Sequence, residues 1–247
     1  MIKKLFFACS IILAITLQNC KDGGEPEPAP ITAPELIIAM PLPSIDGILA
    51  ASITVTKSGG VESKIGTAHA MFYKSKNPAT KVEAGTVKIN TKTTTKADDN
   101  TYFYGVSATE PKGLEYQSQV FWDVIGSTAN DVPRITNNDN SGLPNMPSLP
   151  EFANYNTNQD GLITWTNSSG ADSVILIFKG PSATYKKVFN NSIVKHTVPK
   201  AEIAKLGIGS GTIQVINYKM EVRVVDTKNY AFIKQTIAIC SKVGIKI

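Results

Sequence analysis

Along most of this chain apolar residues fall on alternate positions rather than at helical spacing. Leu114, Tyr116, Ser118, Val120, Trp122 and Val124 sit two apart, which predicts one long strand with a largely apolar face. Residues 48–56 are rich in β-branched types, residues 68–73 form a second apolar segment, and Val87 and Ile89 share one face of 86–90. Asp98, Asp99 and Asn100 supply turn chemistry ahead of a further strand over 101–104. Later in the chain, Ile163 and Trp165 share a strand face. The run 173–178 is apolar on both faces, as a central strand requires, and strands follow at 192–198, 211–225 and 230–240. One short helix is predicted from Pro199 to Leu206. Proline suits the first helical position, Gly207 suits the stop, and Ile203 and Leu206 lie three apart to dock on a sheet. The pattern is that of an all-β protein.

Composition divides the chain. Around 131–150 four prolines and four asparagines replace the apolar alternation, which predicts an interdomain linker at 133–149 between β-domains at 35–132 and 150–247. One long loop within a single sandwich is the alternative. The second block resembles a fibronectin type III or related immunoglobulin-like sandwich. In that family an early strand carries a Trp, here Trp165. An L-x-x-L-like turn then leads into a late strand, here Ile203-Ala204-Lys205-Leu206 to Gly209-Ser210-Gly211. The corner tyrosine of the family is absent, and Ile213 stands near its place. The resemblance implies two immunoglobulin-like β-sandwich domains in tandem.

The N-terminus changes the picture most. Met1-Ile2-Lys3-Lys4 is a short basic start, and residues 5–17 form an apolar run interrupted only by Ser10 and Thr16. That length suits the hydrophobic region of a secretory signal peptide and is short for a membrane span. The run ends in Leu17-Gln18-Asn19-Cys20, which resembles the lipobox of bacterial lipoproteins, with Asn19 where the family has a small residue. The resemblance implies a signal peptide at 1–19, cleavage before Cys20, and a lipid on the Cys20 thiol, a group whose thiolate is a strong nucleophile. Residues 20–34, with Lys21-Asp22-Gly23-Gly24-Glu25 followed by alternating prolines, read as a semi-extended tether. Their charged start also resembles the surface-export signal of lipoproteins of the Bacteroidetes group. The implied location is the outer membrane, lipid-anchored and facing outward, with the periplasmic face as the alternative. Of three cysteines, Cys9 would leave with the signal and Cys20 would be acylated, so Cys240 stands alone as a small core residue.

Charge is uneven. The first block carries a net −1 and the second +6, the excess residing on Lys179, Lys186, Lys187, Lys195, Lys200 and Lys205 among others. This implies attraction to an anionic polysaccharide or lipopolysaccharide, or else solvated lysines that keep strand edges from aggregating. Only Arg134 and Arg223 are arginines and no nucleic-acid module is present, so nucleic acid is not an expected partner. His69 and His196 have no cysteine or histidine neighbours in sequence, and no nucleophile-elbow, zincin or P-loop string occurs. No catalytic residue, metal site or cofactor is therefore implied. Residues 156–161 echo half a calcium loop but have Asn167 where a bidentate Glu is required, so a polar turn is expected. Tyr102 and Tyr104 share a strand face opposite Phe103. If Phe103 is core, the pair form a candidate platform for sugar rings; the alternative is that they pack on their own neighbours. Trp122 and Trp165 are expected in cores. The sequence thus points to a non-enzymatic surface lipoprotein binding a polymer, a polysaccharide or an envelope protein. The alternative is a structural spacer or accessory subunit of an envelope complex.

Overall fold

The computed structural model describes residues 44–247 apart from 59 and 167. β1 (Gly47–Ser58) and β2 (Val61–Phe72) form a long antiparallel hairpin. Five short strands follow: β3 (Val87–Ile89), β4 (Lys92–Thr93), β5 (Thr95–Lys96), β6 (Tyr102–Tyr104) and β7 (Val120–Val124). The predicted strand over 114–124 is a strand only from Val120. The earlier part packs its side chains alternately, with Leu114 buried, but joins the ladder through one bridge between Gly66 and Gly113. Alternation reports which way side chains point, and a segment lying across a sheet edge can alternate without pairing.

Residues 133–149, expected as a linker, carry β8 (Ile135–Asp139), which pairs with β7 along its whole length. Its Asn-rich composition hides it: Asn137 points inward and is satisfied by the Arg223 guanidinium, which donates to its side-chain oxygen. The second half contributes β9 (Phe152–Asn156), β10 (Gly161–Thr164), β11 (Ser173–Lys179), β12 (Thr184–Asn190) and β13 (Lys195–Val198). Then come α1 (Lys200–Leu206), β14 (Gly209–Val225) and β15 (Lys228–Lys246). Pro199 caps α1 in an extended conformation rather than opening it, and Asp160 Oδ1 accepts the Lys200 N–H at 2.8 Å.

The fold is an all-β sandwich architecture built on one large sheet, ordered β12–β11–β14–β15–β1–β2–β6–β5 among the described residues. The two long C-terminal strands make this possible. At roughly 3.3 Å per residue, a strand of 19 residues reaches about 60 Å, enough to serve both halves of the chain. One edge of β15 pairs with β1 in parallel from Tyr230 to Ile239, then with β9 from Lys242 to Lys246. The other edge pairs with β14 throughout. All described residues accordingly fall in a single compact unit, and a count of two separate domains is not confirmed.

Two cores lie along this sheet. In the first, Leu49, Ala68, Phe72, Tyr230 and Phe232 meet Val87, Ile89, Trp122 and Ile135 of the small sheet β4–β3–β7–β8. In the second, Val174, Leu176, Phe178, Val215 and Cys240 meet Ile163, Trp165, Val198, Ile203 and Leu206, from the β10–β13 pair, the loop after β10, and α1. A third cluster, including Ile48, Ala50, Ile175, Ile216 and Ile233, occupies alternate positions of the same large-sheet strands. Between the first two cores the sheet turns polar. Lys234 Nζ donates to Asp139 Oδ2 at 2.5 Å and to Ser141 Oγ at 2.6 Å. The Asn145 carbonyl accepts from Asn217 Nδ2 at 2.6 Å and from Thr236 Oγ1 at 2.9 Å. The segment 139–145 is thus a strap hydrogen-bonded across the sheet where the two cores adjoin.

Candidate functional site

The edge of the second core gathers rings and cations that were scattered in sequence. β12 ends the large sheet, and its partner β11 sets the facing: Tyr185, Lys187 and Phe189 lie opposite Phe178, Leu176 and Val174, all on the core side. On the facing pair, His196 lies opposite Ile163 and also points inward. The side chains meet at the open seam between β12 and β13. Tyr185 Oη and His196 Nε2 are 2.8 Å apart. Phe189 stands 4.8 Å from the His196 ring, and Trp165 stands 5.7 Å from Phe189. Lys187 Nζ lies 5.6 Å from the Phe189 ring centre, in cation–π range. A row of rings therefore runs from Trp165, buried with Nε1 donating to the Ile193 carbonyl, out to half-buried Tyr185.

Electrostatics at the seam favour neutral rings in a positive field. Burial and the nearby Lys187 charge lower the pKa of His196, so its imidazole is neutral at neutral pH. Burial, with Glu202 nearby, raises the pKa of Tyr185, which stays protonated. On the same elements Lys187 shares the ring face, while Lys179, Lys186 and Lys195 project to the opposite faces; none of these, nor Lys200 at the start of α1, has a carboxylate within 4 Å among the described residues. Elsewhere Lys57, Lys64, Lys81, Lys92 and Lys96 of the first half and Lys205, Lys228, Lys234 and Lys242 of the second pair with an Asp or Glu. Val188, 43% exposed, and Ile193 and Val194 beside the seam leave apolar surface open.

Sequence reasoning missed β12. Lys187 stands between Tyr185 and Phe189 on the inward face and masks the alternation, because at an edge a lysine can lie over a ring and still reach water.

The other predicted residues are placed as follows. Cys20, the signal segment and the tether lie outside the described residues. Tyr102 is only 2% exposed: its ring packs edge-on against Phe72, and its hydroxyl accepts the Ala84 N–H at 2.9 Å. Tyr104 is half-buried and its hydroxyl donates to Glu110. The two do not form an open platform, because Phe103 is only half-buried and it is Tyr102 that enters the core. Trp122 and Trp165 are core residues. Cys240 is a free, buried thiol facing the Glu151 carbonyl, and burial raises its pKa. His69 is buried on β2, far in topology from His196 on β13. Asp160 serves α1, and Asn156 Oδ1 accepts the Asn158 N–H in a local turn. Among the described residues no three His, Cys, Asp or Glu side chains gather as metal ligands would. A cleft of about 510 Å³ near β2 is lined by Glu62, Lys64, Lys112, Glu115 and Tyr116. Glu62 and Lys64 already pair at 3.1 Å, and the Tyr116 hydroxyl donates to the Thr67 carbonyl. Comparison of the chain with protein-family models and with curated proteins finds no match.

Proposed function

We propose that this chain is a non-catalytic binding module, anchored through a lipid on Cys20 to the outer membrane and facing outward, that holds an anionic polymer at its C-terminal edge. The observation that carries this reading is the set of lysines without carboxylate partners on β11, β12, β13 and the start of α1, the elements that carry or flank the ring row, with Lys187 on the ring face itself. Cations lacking internal partners concentrate positive potential and raise the local concentration of a polyanion, while rings supply contact area at low entropic cost.

The test uses the full chain. Wild type should bind dextran sulfate with an affinity that falls as salt rises. The triple change Lys179→Gln, Lys186→Gln, Lys195→Gln should weaken it about tenfold, as three exposed contacts of about 0.5 kcal/mol each imply. Salt-independent binding, or none, refutes the reading. The anchor is tested separately: Cys20→Ala should accumulate unprocessed precursor and lose radiolabelled fatty acid, and continued labelling refutes it. A second reading, as an accessory subunit of an envelope complex, is favoured by the edge strand β12 with its exposed Val188 beside Ile193 and Val194. On that reading the lysine changes would leave membrane co-purification of a partner unaltered, whereas loss of the apolar side chains would abolish it.

A further inference from the structure

The Tyr185 and His196 rings are parallel to within 5°, with centres 6.0 Å apart, and are joined by a 2.8 Å hydrogen bond between Oη and Nε2. Both bonded atoms lie in their own ring planes, so the separation of the two planes cannot exceed that 2.8 Å. Face-to-face contact between carbon rings needs about 3.5 Å. The rings therefore lie side by side, nearly parallel and offset by less than a stacking distance, and the hydrogen bond joins them edge to edge. Phe189, tilted 52° to His196 at 4.8 Å, closes one side of that pair. Lys187, on the same strand face between Tyr185 and Phe189, places its ammonium at the rim. Which of the two atoms donates depends on the imidazole tautomer; in the tautomer where the phenol donates to Nε2, the neutral ring carries its proton on Nδ1, an atom with no protein partner among the described residues.

We propose that this two-ring surface is a subsite for a carboxylated pyranose unit, its apolar ring face lying on Tyr185 and His196 and its carboxylate turned to Lys187. The inference rests on the binding-module reading above and names the ligand chemistry of that same edge. A pyranose presents axial C–H groups to one face and hydroxyls around its rim, so it matches a flat aromatic surface with donors at the edge. In the tautomer protonated on Nδ1, His196 supplies such a donor. The lone ammonium of Lys187 selects an anionic unit over a neutral one, because a carboxylate replaces the ring as its partner.

The probes are polygalacturonate and neutral dextran, titrated against the full chain. The readouts are affinity and the imidazole resonances of the two histidines, which serve as internal control for each other. The expected result is saturable movement of His196 and none of His69, with polygalacturonate at least tenfold tighter than dextran. Lys187→Gln should cost about tenfold for polygalacturonate and leave dextran unchanged. Tyr185→Phe, which keeps the ring and the fold but removes the hydrogen bond, should weaken binding by a smaller factor. If polygalacturonate binds in a salt-dependent way with His196 unmoved and Lys187→Gln unaltered, the subsite is wrong while the lysine edge stands. Equal binding of dextran overturns the selection by charge. If the wild type binds neither polygalacturonate nor dextran sulfate, the subsite and the module reading fail together.

Discussion

Asp139→Asn should show how far the polar strap between the two cores holds this sheet together. The Asp139 carboxylate meets Lys234 Nζ at 2.5 Å and also accepts from Ser141, and the Lys234 side chain is only 7% exposed. Burial by itself would raise the Asp139 pKa, but the hydrogen bonds from Lys234 and Ser141 outweigh it and bring the group down from 3.8 to about 2. A folded pKa below the unfolded one contributes stability that is present above pH 3.8 and is lost as pH falls through about 2. A shift of nearly two units corresponds to at most about 2.5 kcal/mol, and partial solvent screening brings it to about 1–2 kcal/mol. Asp139→Asn adds the cost of leaving the Lys234 charge facing a neutral amide, so about 2–3 kcal/mol in all is expected at pH 7. The assay is urea unfolding of wild type and variant from pH 7 down to pH 2.5. The difference between them should hold steady to about pH 4 and shrink below it. Adding Lys234→Met to Asp139→Asn should recover part of the loss by removing the stranded charge. A difference that does not change with pH, or a double variant no better than the single, would refute the reasoning.

Two further outcomes follow from packing. At Gly66 a Cβ would lie 1.7 Å from the Leu114 carbonyl oxygen, and the Gly66 N–H donates to the Lys112 carbonyl at 2.9 Å. Gly66→Ala must therefore push 112–114 off the edge of β2, and a loss of about 3 kcal/mol is expected in thermal or urea unfolding; an unchanged midpoint would contradict the contact. Cys240, buried in the second core with its thiol pKa raised, should resist a thiol reagent in native buffer and react at once in denaturant; rapid native labelling would place it at the surface.

Much of the architecture is legible in local pattern because strand periodicity is a direct consequence of which face meets the core. Val87 with Ile89, the two-sided apolar run ending at Phe178, and Ile203 with Leu206 all sit where their spacing puts them. The pattern fails where a polar side chain is turned inward and satisfied there. Asn137, held by Arg223, made β8 read as linker, and Lys187, lying over Phe189, hid β12. It also fails at residues 114–119, where Leu114 and Tyr116 turn toward β2 but the backbone meets the sheet only at the bridge between Gly66 and Gly113.

What the sequence determined by itself is the β class, the apolar faces, the burial of Cys240 and the excess of lysine in the second half. Those are properties of residue type and spacing. What only the tertiary structure decided is that Tyr230 and Cys240, ten residues apart on one strand, serve different cores, and that Tyr185, Phe189 and His196 converge on one seam. Strand order and register depend on which hydrogen-bonded edges meet, and edge pairing between distant segments leaves no mark in the spacing of either.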